Sequence, residues 1–184
     1  MTNPALWAMF GIFSVTAATA ELAHDNTYAG QHLRDIKALS ADDIDGLLSG
    51  MGMGFAKAAE LNGYPGPLHV LELADELALS AEQRARTDDL FRSMQTEAKA
   101  LGRALVDAEL ELNELFASAR ATPERLTASL DRIASVQAKL RGVHLEAHLE
   151  QLRILTPAQN ARYAELRRYG AGGAHSERGM RHGH

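Results

Sequence analysis

The 184-residue sequence contains no cysteine, which excludes a disulfide scaffold, a cysteine-based zinc site and a cysteine nucleophile. Aromatic residues are also scarce, at 5% of the chain, whereas alanine, leucine, glutamate and arginine are abundant. This composition favours packed helices over sheets, and the length suits a single domain. The formal net charge of −5 argues against general nucleic-acid binding, so no nucleic-acid partner is expected.

Proline is scarce as well, and every proline after Pro4 lies at a predicted helix boundary. Residues 79–116 contain none, and apolar or small residues recur there at alternating spacings of three and four. This pattern predicts a helix of roughly 55 Å, at about 1.5 Å per residue, packed along a second helix. Residues 126–155 are the expected partner. The seam consists of Phe91, Met94, Ala98, Leu101, Leu105, Ala108, Leu112 and Leu115.

Helix starts follow a repeated local pattern. Ser80 with Gln83, and Thr156 with Gln159, have the spacing of capping boxes, and Thr122 precedes a proline at the first position of the predicted second long helix. Short helices are expected over 41–49, 55–61 and 68–77. The predicted fold is therefore all-α: an elongated antiparallel helical hairpin with short flanking helices, four or more helices in total.

The first twenty residues contain neither lysine nor arginine. Residues 5–20 are apolar or small, and Ala18-Thr19-Ala20 fits the small-x-small pattern that signal peptidase recognises. We therefore expect a signal peptide over 1–20, a retained membrane anchor or a buried helix being the alternatives. A helical extension is expected over 21–67, the main helical domain over 68–170 and a disordered Gly/His/Arg tail over 171–184.

A glycine-rich run, Gly50-Met51-Gly52-Met53-Gly54, follows the first short helix. It does not read as a phosphate-binding loop, because no strand precedes it and no Lys-Ser/Thr pair follows it. Its two methionines are either soft metal ligands or, in the preferred interpretation, residues that fill the core.

His144 and His148 form the sharpest candidate site. Residues at positions i and i+4 share one face of a helix, and two imidazoles so placed can chelate a divalent Zn, Cu, Ni or Co ion. The pair is predicted to lie between two apolar stripes, and the alternative is a hydrogen-bonded histidine pair at a dimer interface. The metalloprotease motif needs glutamate directly after the first histidine, so Glu146 does not complete it and no enzyme activity is expected. The stripes are Ile133, Val136, Leu140, Val143, Ala147 and Ile154, and Leu145, Leu149 and Leu152.

Other candidate ligands are scattered along the chain. His24 and His32 could complete the site with the helical pair, across the fold or across a dimer. His69 and Glu72 have the spacing of a surface pair. The tail could bind metal loosely, as histidine-rich tracts do. Its candidate ligands are His175, Met180, His182 and His184.

The two boxes, Leu79-Ser80-Ala81-Glu82-Gln83 and Leu155-Thr156-Pro157-Ala158-Gln159, lie about 75 residues apart behind the predicted signal peptide. Over residues 68–170 this arrangement resembles the Spy/CpxP family and is similar to the periplasmic heavy-metal-resistance and sensor proteins of CnrX-like and ZraP-like type. The resemblance implies a hooked all-α hairpin that dimerises into a curved cradle in the periplasm. It also implies either ATP-independent chaperone activity or binding and sensing of transition metals.

The leading functional prediction is a non-enzymatic periplasmic protein of heavy-metal resistance or envelope stress, which binds a divalent transition metal through histidines. One alternative is an ATP-independent holdase for unfolded envelope proteins. Another is a structural or regulatory partner of a membrane-bound stress sensor. A homodimer is expected in each case.

Overall fold

The computed structural model describes residues 28–167. Within this range the chain forms six α-helices and no strand, which confirms the all-α prediction with four or more helices. A single 3-10 turn, Gln31–Leu33, precedes them. The helices are α1 (Ala41–Ser49), α2 (Lys57–Glu60), α3 (Pro67–Glu72), α4 (Ala81–Ala117), α5 (Pro123–Ile154) and α6 (Pro157–Arg167).

Helices α4 and α5 form the predicted antiparallel hairpin. Gln151, near the end of α5, bonds to Thr87 near the start of α4, whereas Arg132 in the first half of α5 pairs with Glu111 late in α4. The predicted seam faces the partner helix, where alanines allow close approach and leucines fill the space between the helices. Its buried residues are Ala98, Leu105 and Ala108 of α4, packed with Ile133 and Leu140 of α5.

Helix α1 is part of the same core. Leu47 is 4% exposed and belongs to the hairpin cluster. The backbone of α1 lies against α4 at Gly102, where an added Cβ would lie 2.1 Å from the Leu47 carbonyl oxygen. The one poor helix former inside α4 therefore marks the point where a second backbone crosses it.

The two predicted capping boxes bond to each other. Each begins its own helix, since Ser80 Oγ accepts from the Gln83 backbone N–H at 3.1 Å and Thr156 Oγ1 from that of Gln159 at 3.2 Å. The glutamine side chains then exchange hydrogen bonds at 2.8 and 3.0 Å. Their amides also donate to the carbonyls of Ile154 and Leu77. The starts of α4 and α6 are thus held together at one end of the hairpin.

Helices α2 and α3 are shorter than expected because the backbone turns sharply around them. Helix α2 is a single turn, flanked by left-handed conformations at Gly54 (φ 79°) and Gly63 (φ 84°). Helix α3 ends at Glu72, and the chain reaches Ser80 through Ala78 at φ 49°. Nowhere in residues 28–167 is a helix both long enough and apolar enough to cross a bilayer. The predicted signal segment 1–20 and tail 171–184 lie outside the described residues.

Candidate metal-binding cavity

His144 and His148 lie on the core-facing side of α5. Their exposed fractions are 3% and 7%, whereas Leu149 of the predicted second stripe is 47% exposed. The face between the two apolar stripes is therefore buried at the histidines, because α2 and α3 pack against α5 and cover it. Because both rings are buried within one chain, little of either remains for contact with a second chain.

The histidines line an open cavity of about 390 Å³, which lies between the hairpin and the segment that covers it. The segment 50–69 supplies one wall, and α4 and α5 supply the other. The lining combines imidazoles, thioethers and a carboxylate, which are all potential metal ligands. These potential ligands are Met51, Met53, Glu60, His69, Met94, His144 and His148.

His148 is held in one orientation. Its Nδ1 lies 2.8 Å from the carbonyl oxygen of Tyr64, which can only accept, so the neutral ring carries its hydrogen on Nδ1 and its lone pair on Nε2. Glu60 Oε2 lies 3.6 Å from the same Nδ1. The absence of a side chain at Gly66 makes room for the ring, since a Cβ there would lie 3.2 Å from Nε2. An imidazole that donates one N–H to a backbone carbonyl and leaves the other nitrogen available is typical of metal ligands.

His144 lies one turn earlier and stacks on Phe55, with ring centroids 5.7 Å apart and an interplanar angle of 18°. Its Nε2 is buried and makes no hydrogen bond within the described part of the chain. Burial lowers the pKa of His144, and the neighbouring His148 lowers it further. The ring is therefore held neutral, the form that binds metal.

The pKa shift of His144 predicts a pH dependence of the metal-free protein. Because the folded-state pKa is lowered, the unfolded chain takes up the proton first, and the free energy of unfolding falls as the pH drops below about 6.5. A His144→Phe variant should lose less stability between pH 7 and pH 5 than the wild type. At pH 8 it should be at least as stable, because an apolar ring replaces a buried polar atom that lacks a partner. Urea denaturation across this pH range measures both effects. If the free energy of unfolding changed with pH equally in His144→Phe and wild type, the lowered pKa assigned to His144 would be wrong.

Glu60 connects the cavity to the last helix. Its Oε1 accepts a hydrogen bond from the Tyr163 hydroxyl and lies 3.4 Å from Nε of Arg167, both in α6. Tyr163 is 1% exposed, and burial together with the Glu60 carboxylate raises the pKa of its hydroxyl well above the usual range. The backbone N–H of Gly66 reaches the same hydroxyl at 3.4 Å. One carboxylate thus joins α2, α5 and α6.

Sequence reasoning missed Glu60, Tyr64 and Gly66 as parts of the site, because they precede the histidines by about 80 positions. One sequence feature did point to an ordered segment there. The two prolines of Tyr64-Pro65-Gly66-Pro67 restrict the backbone to a narrow range of conformations. Which side chain this turn contacts depends on the tertiary fold, and the local spacing of residues does not predict it.

The remaining candidates have different positions. His69 Nδ1 lies 3.0 Å from Glu72 Oε2 at the surface, which confirms that pair. Met51 and Met53 are 62% and 42% exposed, so the interpretation that they fill the core was wrong. Exposed His32 does not line the cavity in a single chain. The candidates outside the described residues are His24, His175, Met180, His182 and His184.

Over residues 28–167, no three His, Cys, Asp or Glu side chains form a group that could hold a metal ion. A family model described as heavy-metal resistance matches residues 53–162, which is more than half of the chain. The match begins upstream of the region that carries the sequence resemblance, and it includes both Glu60 and the histidine pair. No curated protein and no solved structure matches the chain. The chain belongs to the heavy-metal resistance family.

Proposed function

We propose that this protein is a non-enzymatic metal-binding protein of the periplasm, which holds a transition-metal ion such as Zn, Cu, Ni or Co between His144 and His148. The observation that carries the proposal is the pair of buried imidazoles one helical turn apart beside an open cavity. Membership of the heavy-metal resistance family supports a role in metal handling. The periplasmic location rests on the predicted signal segment.

The two rings are prepared for metal in complementary ways. The Tyr64 carbonyl holds the hydrogen of His148 on Nδ1 and leaves Nε2 available. His144 presents a buried Nε2 without a hydrogen bond in the described residues. Leaving such an atom unpaired costs about 1–3 kcal/mol. A metal ion bound at this nitrogen would offset that cost. Without such an ion, an apolar residue at position 144 would give the more stable fold.

The proposal is tested by calorimetric titration of the protein with Zn, Cu, Ni and Co, and of a His144→Ala/His148→Ala variant. We expect about one ion per chain or per dimer, with the affinity lowered at least about a hundredfold in the variant, because both nitrogen ligands are removed. His32→Ala is the matched control, since it removes an exposed imidazole away from the cavity and should bind as the wild type does.

Two outcomes would contradict the proposal. One is undiminished binding by the double variant. The other is binding that disappears on deletion of residues 171–184, which would place the ions on the tail. Circular dichroism of each variant shows whether a loss of binding is accompanied by unfolding.

A second candidate function rests on a different observation. Four large apolar side chains of the hairpin are at least 37% exposed, which suits contact with other apolar chains. We propose as the alternative an ATP-independent holdase for unfolded envelope proteins. A homodimer or a partnership with a membrane-bound sensor would use such exposed apolar side chains as well. Suppression of client aggregation should then survive His144→Ala/His148→Ala, and mutation of the apolar residues should abolish it. They are Leu110, Phe116, Leu130 and Leu149.

A further inference from the structure

Three thioethers line the same cavity as the histidines. We infer that the site selects a soft monovalent cation, Cu(I) or its chemical equivalent Ag(I), with sulfur from Met51 or Met53 joining the two imidazoles. This inference rests on the proposed function, because it assumes that His144 and His148 bind the ion. It adds the chemical class of the ion and the segment that selects it.

The methionine loop, residues 50–54, occupies one rim of the cavity. Met51 is 62% exposed and Met53 is 42% exposed, so a large part of each side chain remains in water. Met94 of α4 lines the cavity from the opposite side. The Met53 thioether packs over Gly46 of α1, where an added Cβ would lie 2.9 Å from its Sδ. Core packing does not account for Met51, which is 62% exposed beside the pair of imidazoles. A soft, polarisable sulfur atom accounts for it as a ligand.

The backbone holds the methionine loop against the hairpin. Met53 has φ 43°, a left-handed conformation that costs a non-glycine residue about 1–2 kcal/mol. Gly50 has φ 70°, and an added Cβ there would lie 3.0 Å from the backbone oxygen of Gln95 in α4. Glycine at position 53 would adopt this conformation without strain. The chain instead retains a thioether there, at the rim of the cavity.

The charges around the cavity favour a monovalent ion. Glu60 is the carboxylate of the lining, and Arg167 lies 3.4 Å from it. The ammonium-bearing Lys57 lines the cavity too. A divalent ion would therefore meet little net negative charge, and it depends on such charge more than a monovalent ion does, because Coulomb attraction rises with the charge of the ion. Thioether and imidazole ligands bind Cu(I) through soft donor atoms, which do not need a compensating carboxylate.

The test compares the full chain with a Met51→Leu/Met53→Leu variant, which removes both sulfur atoms from exposed positions at nearly constant volume. Cu(I) affinity is measured anaerobically by competition with a chromophoric chelator, Ag(I) serves as a redox-inert probe, and Zn(II) is the reference ion. We expect the variant to lose at least about tenfold in Cu(I) and Ag(I) affinity and to keep its Zn(II) affinity, because only the soft ligands change. X-ray absorption at the copper edge should show a Cu–S shell in the wild type that the variant lacks. Met180→Leu makes the same change in the tail and should bind as the wild type does.

The outcomes separate the inference from the proposed function. Three results would overturn the inference while His144 and His148 still bound divalent ions. The first is equal Cu(I) affinity in wild type and Met51→Leu/Met53→Leu, and the second is a copper site without sulfur. The third is a loss of Cu(I) affinity in Met180→Leu. Undiminished binding of every ion by His144→Ala/His148→Ala would overturn the proposed function, and the inference with it.

Discussion

Replacing Gly102 by alanine is expected to lower the free energy of unfolding by about 3 kcal/mol, although alanine is the better helix former by about 1 kcal/mol. The added Cβ would lie 2.1 Å from the Leu47 carbonyl oxygen and 2.7 Å from its carbon. These atoms belong to the backbone of α1, so no side-chain rotation relieves the overlap. Helix α1 must move away from α4, and the packing of Leu47 in the hairpin core is lost with it.

Gly142 provides the matched control, because it is a helix-interior glycine in α5 with space around it. An added Cβ would meet only Glu146 Oε1, at 4.0 Å. Gly142→Ala should therefore raise the free energy of unfolding by about 0.5–1 kcal/mol, the usual gain for this exchange. Urea denaturation followed by circular dichroism measures both variants. If Gly102→Ala proved as stable as Gly142→Ala, the close contact between α1 and α4 would be wrong.

Tyr163→Ala should have the largest effect of any single truncation near the cavity, a loss of about 3–5 kcal/mol. The ring is 1% exposed and belongs to the cluster that joins α6 to α3 and the end of α5. Tyr163→Phe keeps the ring but removes the hydroxyl that donates to Glu60. It should cost about 1–3 kcal/mol, because a mostly buried carboxylate loses a donor.

The two tyrosine variants separate packing from hydrogen bonding in the same denaturation assay. Tyr28→Ala is the control for removal of an aromatic ring, since Tyr28 is 75% exposed, and it should change stability by no more than about 0.5 kcal/mol. Equal stability of Tyr163→Phe and wild type would show that the Glu60 contact contributes nothing. A small loss of stability in Tyr163→Ala would contradict the packing of Tyr163 against Val70, Leu77 and Leu155.

Local rules of sequence predicted the hairpin and its helix starts. The prediction from the three-four spacing of the α4 seam is confirmed, because helical geometry places such residues on one face regardless of where the partner helix lies. The capping boxes at Ser80 and Thr156 hold for a similar reason, since each joins atoms three residues apart. The metal hypothesis for His144 and His148 also came from spacing alone, and family membership supports a role in heavy-metal resistance.

The surroundings of those histidines were decided by the tertiary structure. Sequence patterns alone predicted the two long helices, the apolar face of α4 and the two imidazoles one turn apart, because these properties depend on neighbours within four positions. Only the folded chain brought the Tyr64 carbonyl, Glu60 and the methionine loop to that turn, and joined Gln83 to Gln159. Those contacts link residues about 75–100 positions apart, and the packing of the whole core sets which of many possible pairs forms.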